Sequence, residues 1–425
     1  MILNGWDTVS IIQADVANQK LKENTSHLIM DFDTTWEEGF SGTYKAKGTF
    51  GSWWISGGSG DDLHLRIPIK SGEVWDVKYP DKKTEVAGYE LTFEVNLKFI
   101  PATVPQEGSK LTFDIRQVNK TGENPQQGDI TLIATQAPSG SKYAEALGMA
   151  VARLLTQNKD KITFVFAEVG AGGSSLPVWL RPVKTKYSYH QPLGEAESFL
   201  AILSVTSDKD IAGLSSNIES AILPKKYPLS FAISGALFLK HIYLPVLPGA
   251  FKHATLDDFS YADGKITLSK HFDLDSTQVS GTSYTPVITS MTISIDSDKI
   301  KNDSSGRADL HLPNAYISFA TTLQNKLEYS ASTQRISFDK DPHPQKHSSA
   351  HIPWYDYLLG IGSISDALIA AVTDAVELHV GAGLATDNIA GSLRSATANV
   401  VSWGDGVSVK TGVLNDCFYM QGDLS

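Results

Sequence analysis

A chain of 425 residues has room for two or three domains, or for one elongated one. Its 36 Lys and Arg are outnumbered by 47 Asp and Glu, giving a formal net charge of −11, and it lacks the basic stripe that holds nucleic acid. Apolar residues at 41% suffice for a core, charged residues at 20% are too few for a disordered polyanion, and the single cysteine, Cys417, excludes a disulfide scaffold or a multi-cysteine zinc site.

The elements follow in chain order. Asp7 or Thr8 can cap a helix carrying Val9, Ile12 and Val16 at spacings of three and four, ending near Leu21. Strands come next: 63–70, 89–99 and 111–116 alternate apolar and polar residues. Alternation gives one apolar and one wet face, which is the pattern of antiparallel strands over a single core. A helix is predicted over 141–157, with Leu147, Val151 and Leu154 on one side. Segments 162–166, 182–187 and 199–203 read as further strands. A helix over 234–247 is closed by Pro245 and Pro248, and alternation returns at 265–269 and 291–296. The last helix, 357–381, has an apolar stripe of Ile361, Ile364, Leu368, Val372 and Val376. Its polar stripe is Ser363, Asp366, Thr373, Asp374 and Glu377.

The order helix, strands, helix occurs twice at similar offsets. The reading is therefore an α+β protein of two pseudo-repeated halves, 1–190 and 191–425, joined by a shared central sheet at about 160–230. The opening residues show no secretory signal. The most apolar stretch, 229–251, is interrupted by Lys240, His241 and two prolines, so no transmembrane segment is expected.

A long amphipathic helix can lie in the concave side of a curved antiparallel sheet. The seam between them is either a filled core or an apolar tunnel for a lipid chain. Val9, Ile12 and Val16 on the first helix, and Ile364, Leu368 and Val372 on the last, are the predicted seam residues.

Candidate chemistry is sparse. His343, His347 and His351 have the spacing of helical metal ligands, but Pro342, Pro344 and Pro353 break a helix there, so a polar loop and no metal is expected. Two glycine-rich stretches, 57–60 and 170–173, match no phosphate-binding motif, and no nucleophile elbow is present. Cys417, in a strand-like context, reads as a buried thiol. No enzyme and no cofactor is expected. Trp53 and Trp54 beside a glycine turn fit either an exposed aromatic tip or a strand that buries one indole on each face.

Three stretches carry a family resemblance. Trp6, Asp7, Val9, Asn18 and Leu21 match a Trp-Asp-x-Val, Asn-x-x-Leu pattern. Segment 234–247 matches Ser-x-x-Leu-Phe-x-x-x-Ile-x-x-Pro, and 407–425 resembles a pair of C-terminal strands. Together they resemble the clostridial forty-seven-kilodalton accessory-protein family encoded beside OrfX-type botulinum neurotoxin clusters, with relatives in other bacterial toxin loci. The resemblance implies a tubular lipid-binding (TULIP) fold, in which long helices are wrapped by strongly curved antiparallel sheets. It also implies an accessory role with no catalytic residues. The expected partners are a lipid or other hydrophobic ligand, or a membrane surface, and other toxin-locus proteins; nucleic acid is not among them. The competing reading is a protein-interaction scaffold of a toxin complex with no bound lipid. Such a protein is expected to be cytoplasmic in the producer or released with the complex.

Overall fold

The computed structural model describes residues 2–39, 42–102, 108–119, 124–138, 141–352, 361–384, 396–404 and 406–424; within 361–384, the side chains described are those of 364–376. The chain forms two compact units. One is built from Val9–Leu229 and Ala398–Gly406, closing with the C-terminal Leu424–Ser425; the other combines Met1–Thr8, Ser230–Thr397 and Val407–Asp423. The expected boundary at 190/191 lies inside the first of these, to which residues 191–229 belong.

The first unit is dominated by a mostly antiparallel sheet, which has eleven strands among the described residues. Its path runs Asp31–Glu37, Thr43–Phe50, Asp62–Asp76, Glu90–Pro101, Ser109–Asp114, Val165–Val169 and Val401–Ser402. The predicted alternation is realised: Leu63, Leu65, Ile67 and Ile69 are buried, as are Leu91, Phe93, Val95 and Leu97. Bulges at Thr49/Phe50, Ile55/Gly57, Leu132/Ala134 and Val165/Ala167 add local twist and curl the sheet. Helix α1 is Ala14–Glu23 and α2 is Ala144–Gln157. The apolar side of α2, with Leu147, Val151 and Leu155, is fully buried and packs against Asp31–Glu37 and Asp129–Gln136.

The first predicted helix is only half helical. Thr8–Gln13 is a strand, and α1 begins at Ala14. Thr8, Val9, Ile11 and Ile12 are β-branched, and all five residues from Thr8 to Ile12 are buried. A strand buried on both faces shows no alternation, so its three- and four-residue spacings imitate a helix.

In the second unit the sheet runs Phe259–Ala262, Lys265–Leu268, Pro286–Asp296, Lys299–Asp309, Tyr316–Ser330 and Arg335–Phe338, with Gln345–His351 also paired to Tyr316–Ser330. The first hairpin turns on Asp263 and Gly264, both at positive φ (49° and 76°), the pair that a two-residue type I′ turn needs. The helix predicted over 234–247 is a broken helical run. α3, Gly235–Leu237, is capped by the Ser234 hydroxyl, which accepts from the Leu237 N–H at 3.3 Å. Looser and tighter turns lead to α4, Leu247–Ala250, because Pro245 and Pro248 cannot donate. The long helix α5, Ile361–Leu384, lies against Tyr316–Ser330 and Gln345–His351. No described helix is long and apolar enough to cross a membrane.

Candidate functional site

The predicted seam residues fall in two different settings. In the second unit, Leu368 of α5 is fully buried in a cluster with Val279, Tyr284, Ala308, Leu310, Ala315 and Ile317. Val372 is equally buried and Ile364 is half-buried at the edge. Around Leu368, aliphatic side chains and Tyr284 pack together between α5 and its sheet. Asp366 and Asp374 are exposed as predicted. Thr373 is not: it is buried, and its hydroxyl satisfies itself by donating to the Ile369 carbonyl at 2.7 Å. Ile361, Ser363 and Glu377 lie outside the described side chains.

In the first unit the predicted trio is split. Val9 and Ile12 are buried, but an odd and an even residue of one strand point to opposite faces, so they cannot line one seam. Val16, on α1, is only half-buried; the helix packs through Ala14, Ala17 and Leu21. Asn18 is the more telling residue of that helix. Its amide accepts from the Ile55 N–H at 2.7 Å and donates to the Ile55 carbonyl at 3.1 Å, replacing a strand partner for Trp54–Ser59.

Trp53 is 0% exposed and packs edge-on against Phe113 with centroids 6.2 Å apart, so it forms no exposed tip. Trp54 is half-buried, with the Arg66 guanidinium 5.4 Å over its ring. The histidine segment is not wholly a loop. Gln345–His351 is an exposed edge strand, and His351 stacks on Tyr316. Four residues along a strand span about 13 Å, so His347 and His351 cannot share an ion as helical residues would. Cys417 is buried, and burial pushes its thiol up to about 12, far from the thiolate a nucleophile needs.

A polar cleft of about 770 Å³ lies in the first unit between the Glu90–Pro101 strand, residues 125–129 and the Lys184–His190 strand. Its base is a fixed network. Asp114 is 0% exposed and receives both Nε and Nη2 of Arg116, at 2.9 and 2.7 Å, with Lys98 Nζ at 3.3 Å. The Asn96 amide donates to the Asp61 carbonyl and the Asp62 carboxylate, both at 3.0 Å, and accepts from the Gly128 N–H at 3.0 Å. Tyr187 accepts from the Leu97 N–H at 2.7 Å and donates to the Asp61 carbonyl. Burial raises its hydroxyl pKa, so it stays protonated. Asp129, also buried, accepts from Gln117 Nε2 and the Gln126 N–H, each at 2.8 Å. Gly128 sits at φ +89°, and a Cβ there would come within 2.6 Å of Arg116 Cδ, so only glycine leaves the arginine its place.

The pattern that defines the OrfX-like family, protein OrfX2/OrfX3/P47, matches residues 3–410. The chain belongs to the OrfX-like family. Protein P47 of Clostridium botulinum (strain Kyoto / Type A2) is 24% identical to it over 364 residues, covering 82% of this chain and 83% of P47. Protein OrfX3 of Paraclostridium bifermentans is 23% identical over 331 residues, covering 70% and 66%. The structure of P47 from C. botulinum A2 aligns with a TM-score of 0.78 at 23% identity, over 99% of this chain and 97% of that one. P47 of C. botulinum E1 gives 0.76 at 21% identity, over 99% and 100%. The shared property at these identities is the fold.

In this OrfX-like chain, Trp6, Asn18 and Leu21, three of the residues on which the resemblance rests, make structural contacts: Trp6 and Leu21 are buried, and Asn18 holds a strand. The polar cleft was not legible in the sequence. Lys98 and Glu94 read only as the wet face of an alternating strand, and Arg116 lay at a strand end. The sole local signal was Asp61-Asp62 beside a glycine turn.

Proposed function

We propose that this OrfX-like chain is a non-enzymatic accessory component of a bacterial toxin locus that works through its outer surface, in contact with other proteins of that locus. The carrying observation is the packed apolar cluster around Leu368 of α5. A lipid carrier needs a continuous apolar cavity, and small-molecule sites of this kind enclose about 300–1,000 Å³. Around Leu368 that space is occupied by Ala308, Leu310, Ile317 and Tyr284. Family membership supports the toxin-locus role. A helix packed across a curved antiparallel sheet, α2 in one unit and α5 in the other, supports a tubular lipid-binding architecture of two related halves, here used as a scaffold.

The test is co-expression with the proteins encoded beside it, followed by size-exclusion chromatography. Co-elution with at least one neighbour in fixed ratio is the expected result. Elution alone, with a lipid bound in stoichiometric amount, would replace the scaffold by a carrier.

A further inference from the structure

We infer that the cleft over Asn96, Arg116 and Tyr187 binds a neutral polyhydroxylated ligand, a saccharide of two or three rings. This goes beyond the accessory role proposed above and does not depend on it.

Size is the first argument. About 770 Å³ lies within the volume range of small-ligand sites. Charge is the second. Four carboxylates (Asp61, Asp62, Glu94 and Asp129) and three cations (Lys98, Arg116 and Lys186) line the cleft. An anionic ligand would meet the carboxylates and a cation would meet the lysines and arginine. A hydroxyl group donates and accepts through one atom, so a neutral polyol can use both kinds of wall at once. The third is fixed geometry. Arg116 is held in a two-point pairing with buried Asp114, which leaves its Nη1 for another partner. Asn96 is tied through both of its amide atoms, and Tyr187 through two hydrogen bonds at its hydroxyl. Binding therefore orders few side chains. Lys186 Nζ has only long contacts, 3.4 Å to Ser216 and 3.7 Å to Asp61, so its donors are available to a closer acceptor. Fourth, the half-buried Phe99 ring, set edge-on to Tyr187 at 6.5 Å, gives the cleft an apolar wall for the C–H face of a sugar.

The test is saturation-transfer NMR and calorimetry on the full chain with lactose, maltotriose and cellotriose, beside inorganic phosphate and calcium as charged probes. At least one saccharide should bind at about 10 mM or below, and neither charged probe should compete. Phe99→Ala and Lys186→Gln should each weaken saccharide binding by about tenfold, the worth of one good contact, with an unchanged melting temperature for the variant of half-buried Lys186. Phe99→Tyr should retain binding. Gly128→Ala, which displaces Arg116, should abolish it. The inference is overturned if none of the three saccharides binds, if phosphate or calcium binds in their place, or if binding survives both Phe99→Ala and Lys186→Gln.

Discussion

Trp53 and Trp54 are neighbours in sequence and reach opposite environments. One is sealed against Phe113 and the other lies half-buried under Arg66. Their substitutions should differ accordingly. Trp53→Ala removes a large buried side chain and should cost about 3–5 kcal/mol by chemical denaturation. Trp54→Ala loses part of a surface and one cation–π contact, and should cost nearer 1 kcal/mol. Equal losses would contradict this placement. Asn18 shows what sequence reading misses at this scale. It is one of the residues on which the resemblance rests, yet nothing in the local sequence says that its amide pairs with the backbone of Ile55, because that contact spans 37 positions. Asn18→Ala leaves both Ile55 groups without their partner, and should destabilise by about 1–3 kcal/mol. Asn18→Asp keeps only the acceptor and should recover part of that loss.

At the scale of elements, period was a good guide wherever one face is wet. The strands around 63–69 and 91–97 and helix α2 lie where their spacing puts them, since burial on one side forces a period of two or 3.6. Thr8–Gln13 failed because both its faces are buried. The histidine segment failed for a different reason. Prolines rule out a helix but leave an exposed edge strand as open as a loop, and pairing with Tyr316–Ser330 decides between them. For α5 the element-level prediction is Leu368→Ala. In a filled seam it should cost about 2–5 kcal/mol by transfer and cavity terms. A loss well below that range would mean that the side chain faces open space. Val16→Ala, on the half-buried side of α1, should cost less than Leu368→Ala; a larger loss would restore Val16 to a seam.

For the whole molecule, the sheets account for most of the described secondary structure, so far-ultraviolet circular dichroism should show strand content above helix content. Acid should weaken the fold earlier than carboxylates alone would cause. Burial lowers the pKa of His190 in one unit and of His241 in the other from an ordinary 6.5, the second also through Lys240. The folded chain therefore binds these protons less readily than the unfolded chain, and stability is lost as pH falls through 6.5 toward the lowered values. Asp258 is also lowered, by hydrogen bonds from Thr255, and so is Asp303, where burial pushes up but hydrogen bonds from Thr322 and Lys301 together with the Lys301 charge outweigh it; their contribution is lost only nearer pH 4. The melting temperature should drop between pH 7.5 and 5.5. His190→Asn and His241→Asn together should flatten that drop, and an undiminished drop would assign it to other groups.

The division into units was beyond the sequence because residues 398–406 and 407–423, adjacent in the chain, belong to different units. Composition does not change between them, and only long-range strand pairing separates them. The filled seam is equally invisible to periodicity, since a packed core and a lipid tunnel need the same apolar stripe. Organic-solvent extraction of the purified wild-type chain, with mass spectrometry of the extract, separates the two. A filled seam predicts no lipid in stoichiometric amount. One lipid per chain, retained through purification and lost in Leu368→Trp with the fold intact, would contradict it.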